Sequence, residues 1–164
     1  MHSRLGSICD SLTRQLDCYK TLIGLSEKER VCLRQKDSVG LARALNEKEA
    51  VLCIIKELEA QRKGQVRSLA AEANLSEESL TVTQMMELAT EPYRSRLQQI
   101  KREIHEVSAA LAAATQRNIF LVEHLQGYAR DMIGLFLAFN QQGTVYRRNG
   151  GIESCRKSMN TTIR

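Results

Sequence analysis

LQQIKREIHEVSAALAAATQRNIFLVEHLQGYARDMIGLFLAF, residues 97–139, is the stretch whose spacing decides the fold. Leu97, Ile100, Ile104, Val107, Leu111, Ala114, Asn118, Leu121, Leu125, Tyr128, Met132, Leu135 and Phe139 recur at alternating steps of three and four. That is the a/d seam of a heptad repeat, and Asn118 is its one strongly polar member. No Pro and no charged side chain interrupts the seam. At 1.5 Å per residue the helix would run about 65 Å, well beyond an ordinary globular helix. Such a stripe is buried only by partners of similar length, so the chain is expected to fold as an all-α antiparallel bundle of three long helices plus one short helix, with coiled-coil-like packing and a flexible C-terminal tail.

Composition agrees. The chain has 164 residues, 43% of them hydrophobic but only 4% aromatic, with no Trp and one Pro. That suits helix-on-helix packing by Leu, Ile and Ala, and leaves little turn chemistry for a β-protein. Five Cys, at positions 9, 18, 32, 53 and 155, form no CxxC and no Cys/His ligand spacing, which reads as reduced thiols of a cytoplasmic protein without a zinc site. The N-terminus lacks a signal-peptide core, and the longest apolar run, Met132 to Phe139, is short of a membrane span. No spacing matches a phosphate loop or nucleotide fingerprint. His105 and His124 fall at b and g positions, outside the seam, so no catalytic residue, metal or cofactor is expected.

Upstream, Leu5, Ile8, Leu12, Leu16, Tyr19, Leu22, Ile23 and Leu33 trace one face of a first helix, Leu5 to Lys36. Ser26-Glu27-Lys28-Glu29 offers a capping box after Gly24, but a continuous helix is preferred because one interior Gly costs only about 1 kcal/mol. Asp37 or Ser38 caps a second helix whose face is Leu41, Leu45, Leu52, Ile55, Leu58, Val66 and Leu69. The short connection makes these two helices a hairpin. Ser76 is read as the cap of a short third helix with Leu80, Met85, Met86 and Leu88, and Pro92 suits the start of the last helix, which ends near Gly143. The body is thus 1–143 and the tail 144–164.

Three features exceed packing. Asn118 at an a position pins register and orientation at some cost in stability. Ile119, Phe120, Ile133 and Leu137 lie at b, c and f positions around it, and the run Met132 to Phe139 is apolar all round, so an exposed patch near the helix end is expected, a surface for a partner or for self-association. In the tail, Ile152, Cys155, Met159 and Ile163 recur like one face of a short amphipathic helix, the kind of segment that folds on binding into a partner's groove. Arg147, Arg148, Arg156, Lys157 and Arg164 against Glu153 give this tail +4 of the chain's +5, leaving the body nearly neutral. Without stacking aromatics or a basic groove, a nucleic-acid partner is not expected.

These pieces together resemble the FlgN-like flagellar type III export chaperones. The resemblance rests on the N-terminal helix with Tyr19, on Asp37 and Leu41, and on Lys48-Glu49 before Val51-Leu52. It continues with Leu58-Glu59-Ala-Gln-Arg62, Asn118 before Leu121 and Leu125, and Thr144-Val145-Tyr146-Arg-Arg-Asn-Gly150. Thr115 and Val145 depart from the family pattern. The resemblance implies a cytoplasmic chaperone of hook-associated proteins, held unassembled until export, with no nucleotide, metal or catalysis. It places client binding on the C-terminal region, here Tyr146, Ile152, Cys155, Met159 and Ile163, and docking to the export gate on Tyr146. The alternatives are a coiled-coil adaptor that oligomerises through apolar helix surfaces, and a nucleic-acid or membrane-surface binder working through the basic tail.

Overall fold

The computed structural model describes residues 2–73, 75, 80–141, 144–146 and 152–154. Four helices account for nearly all of these: α1 His2–Gln35, α2 Ser38–Ala73, α3 Val82–Leu88 and α4 Tyr93–Gln141. Two three-residue strands follow, β1 Thr144–Tyr146 and β2 Ile152–Ser154, paired antiparallel with Val145 opposite Glu153. The chain divides into two compact units, Met1–Leu121 and Val122–Arg164, the boundary falling within α4.

In the first unit, cross-helix pairs fix the directions. Arg4 pairs with Glu72, Ser11 Oγ donates to Gln65, and Lys28 pairs with Glu47, so α1 and α2 are antiparallel. Asp10 meets Arg96, Lys20 meets Glu103 and Glu27 meets Arg117, so α4 runs parallel to α1. The bundle is all-α, its three long helices running up, down and up, joined at the base by the short α3. Hydrogen bonds from Lys20 first, then Gln99, hold the Glu103 carboxyl below its usual range.

The hydrophobic core sits at that base. Leu5, Ile8, Cys9 and Leu12 of α1 close on Val66, Leu69 and Ala70 of α2, on Leu80, Met85 and Ala89, and on Leu97 and Ile100 of α4. Burial pushes the Cys9 thiol above its ordinary range, so it packs as a small apolar residue. The four described cysteines, Cys9, Cys18, Cys32 and Cys53, are free thiols.

α1 is continuous through Gly24. Ser26, rather than capping a new helix, is buried and its Oγ donates back to the Leu22 carbonyl at 2.9 Å. The helix ends in a Schellman-type turn: Lys36 takes the left-handed conformation (φ 58°) and the Asp37 N–H reaches Cys32 O at 3.0 Å. Asp37 then caps α2, its Oδ1 accepting from Gly40 N at 2.9 Å.

Three expectations are corrected. In α2 the inward face takes Ala44, Ile55, Leu58, Val66 and Leu69, while Leu45 and Leu52 are exposed. The third helix starts at Val82, its cap Thr81: Gln84 N donates to Thr81 Oγ1 and Thr81 N to Gln84 Oε1 in a reciprocal capping box. Leu80 before the cap and Met85 at its fourth helical position are both buried, the positions of a hydrophobic staple. Ser76 lies outside the described residues. Finally, Ile152 does not open a helix; it begins β2, as fits the strand preference of Ile152 and of Thr144, Val145 and Tyr146 opposite.

The α1–α2 turn gives a stability test. A Cβ on Gly40 would collide with the Asp37 carboxylate that caps α2 and come within 2.9 Å of Cys32 Sγ. Gly40→Ala is therefore expected to destabilise by about 1–2 kcal/mol in urea unfolding, although Ala is the better helix former. An equal or raised midpoint would show that the turn has slack.

Candidate functional site

The 49 residues of α4 carry the seam in three states of burial. Leu97, Ile100, Ala114 and Asn118 are buried, Ile104, Val107, Leu111, Leu121 and Leu125 are half-buried, and Tyr128, Met132 and Leu135 are exposed. α1 and α2 have 34 and 36 residues, so α4 offers more seam than either can match in length.

At the upper end of the buried seam, Asn118 sits 5% exposed. Its Nδ2 donates to the Ser26 carbonyl at 2.8 Å and to Glu29 Oε2 at 3.0 Å. Glu29 Oε2 also accepts from Lys48 Nζ of α2 at 2.7 Å, with both side chains largely covered. One carboxylate thus ties α1, α2 and α4 together. The geometry is that of a polar layer which permits one register, because a one-turn slip of α4 removes both donations. Asn118 Oδ1 has no partner among the described residues, which adds to what the layer costs in stability.

Beyond the layer the helix turns its apolar residues outward. All four members of the expected patch are exposed: Ile119, Phe120, Ile133 and Leu137. The reading of the b, c and f positions understated the surface, since Tyr128, Met132, Leu135 and Phe136 are exposed as well. Met132, Leu135 and Phe136 belong to the run, apolar all round, that was expected to be exposed near the helix end, whereas Tyr128 was assigned to the seam alone; the length of α4 against α1 and α2 was the available signal that the seam would outrun them. At 70% exposed, Phe136 is the most open of these side chains, and a helix with large apolar groups on every face is unusual in contact with water.

Of the tail residues, Tyr146 lies at the end of β1 and Ile152 opposite it at the start of β2. Cys155, Met159 and Ile163 lie outside the described residues. His105 and His124 are both exposed. Among the described residues no three His, Cys, Asp or Glu side chains cluster as metal ligands, and no helix is long and apolar enough to cross a membrane.

The class so defined is an all-α protein of long packed helices with an open apolar helix surface. The FlgN protein family matches residues 1–154, and the chain belongs to it. The family is one of flagellar export chaperones, not of enzymes, and its members bind flagellar proteins. No curated protein and no solved structure matches the chain.

The polar layer makes its own prediction. A register pin alone would gain stability on replacement by Leu. Here Asn118→Leu removes two donations and leaves the covered Glu29 with Lys48 as its remaining partner in the layer, so we expect a loss of about 1–2 kcal/mol in chemical denaturation. A rise in stability would mean that seam burial outweighs those hydrogen bonds.

Proposed function

We propose that the chain is a cytoplasmic chaperone that binds flagellar hook-associated proteins, keeps their assembly-competent helices from pairing with each other, and delivers them to the export gate. The observation that carries this reading is the second half of α4, where Tyr128, Met132, Ile133, Leu135, Phe136 and Leu137 stand exposed on one helix. A client helix laid against them exchanges one apolar helix partner for another, which masks without chemistry. Residues 1–143 serve as the body and 144–164 as the client-binding tail. Tyr146, Ile152, Cys155, Met159 and Ile163 make the tail contacts, and Tyr146 docks at the gate. Membership in the family supports the export role.

A second reading draws on the same surface. Exposed Tyr128, Met132 and Leu135 keep a/d spacing, which is what pairing with another copy of α4 would use. In that case the mass would rise with concentration in the absence of client.

The test is titration of the full chain with purified hook-associated proteins by calorimetry. Met132→Ser with Leu135→Ser removes two side chains worth about 1.5–3 kcal/mol each on burial, so affinity should fall by roughly two to four orders of magnitude while the base of the bundle keeps its unfolding midpoint. Ile152→Ser with Ile163→Ser should also weaken binding, and Arg147 and Arg148 replacements should matter less. Unaltered affinity of the Met132/Leu135 variant would remove α4 from the client site.

A further inference from the structure

A second surface lies on the first unit, apart from the α4 segment assigned to the client. Between the last turns of α1 and the middle of α4 is a cleft of about 520 Å³, lined by Arg30, Arg34, Gln116, Arg117, Phe120 and Leu121. α2 contributes none of this lining. Among the described residues no third helix lines the groove between these two parallel helices.

The charge in the cleft is unbalanced. Glu27 is shared by two guanidinium groups, accepting from Arg30 Nη2 at 2.6 Å and from Arg117 Nη2 at 3.1 Å. Arg34 has no ion pair among the described residues, and the Arg30 Nε–H is buried without an acceptor there. One carboxylate therefore faces three guanidinium groups, each with a fork of N–H donors. The body as a whole is almost neutral, so this surplus is local. Beside it Phe120, 67% exposed, supplies an apolar floor with the half-buried Leu121.

We propose that this cleft docks an acidic amphipathic helix of a partner protein, its carboxylates received by Arg30, Arg34 and Arg117 and its apolar face by Phe120 and Leu121. Charge complementarity selects acidic side chains, and the apolar floor selects a helix with a hydrophobic face over a bare phosphate backbone. A single aromatic gives no ladder on which successive bases would stack. The cleft and the proposed client segment share no residue, so loss of one should leave the other working.

The full chain is titrated with a labelled synthetic helical peptide of about eighteen residues, Leu along one face and Glu flanking it, and with a twin carrying Gln for Glu. The Glu peptide is expected to bind, and the Gln twin at least tenfold more weakly. Arg34→Gln, which breaks no described ion pair, and Phe120→Ala should each weaken the Glu peptide several-fold while the circular dichroism stays that of the parent. The proposal is overturned if the Glu peptide fails to bind up to about 1 mM, or if both peptides bind alike. It is equally overturned if Arg34→Gln leaves the affinity unchanged, or if a single-stranded oligonucleotide binds and Arg34→Gln abolishes that binding while sparing the peptide.

Discussion

One carboxylate organises the upper part of the bundle. Glu29 of α1 receives Lys48 from α2 and Asn118 from α4, and the Ser26 carbonyl one turn earlier receives Asn118 as well. The main apolar cluster lies toward the base, around Leu5, Leu69, Met85 and Leu97, and apolar contacts alone allow α4 to slide by a turn with little change in burial. A polar layer of directional bonds does not allow it. It sets which residue of α4 stands opposite the last turns of α1, and therefore where Arg117, Phe120 and Leu121 meet Arg30 and Arg34. It also sets the point along α4 at which the remaining seam lacks cover.

Much of this was legible in the sequence because heptad spacing is a long, redundant signal. Thirteen positions repeat the same statement about α4, so its existence and type follow, and its inner face as far as Leu125. Asp37 as cap and the passage of α1 through Gly24 follow from local chemistry. The inner face of α2 did not, because a hydrophobic-stripe reading favours Leu45 and Leu52 and passes over Ala44 and Lys48. Lys48 is covered on account of Glu29 in another helix, a fact no single-helix pattern holds. The Thr81-x-x-Gln84 capping box stands in the sequence, but the cap was placed on Ser76 and the box was passed over. The start of β2 at Ile152 was hidden because the steps of three and four from Ile152 onward point to a helix, while a three-residue strand is too short to show an alternation of its own.

The candidate site was legible in part for a related reason. Ile119, Phe120, Ile133 and Leu137 stand out because they fall off the seam, so the sequence marks them as unusual. Met132, Leu135 and Phe136 stand out through the run Met132 to Phe139, which is apolar on every face. Tyr128 falls on the seam outside that run and looks ordinary; its exposure depends on the lengths of other helices, not on its own spacing. The cluster of Arg30, Arg34 and Arg117 is invisible in the chain because one of its members is more than eighty residues away from the other two; the fold alone brings them together.

The chain belongs to the FlgN family, and the proposal made for it is that an apolar stretch of helix exposed on α4 seats a flagellar client. The central claim is that the second half of α4 is that seat. Amide hydrogen exchange of the full chain, alone and with a purified hook-associated protein, measures it directly. The account predicts slowed exchange over residues 128–137 on complex formation, with the base of the bundle unchanged. A complex that forms while exchange over 128–137 stays as in the free chain would contradict it.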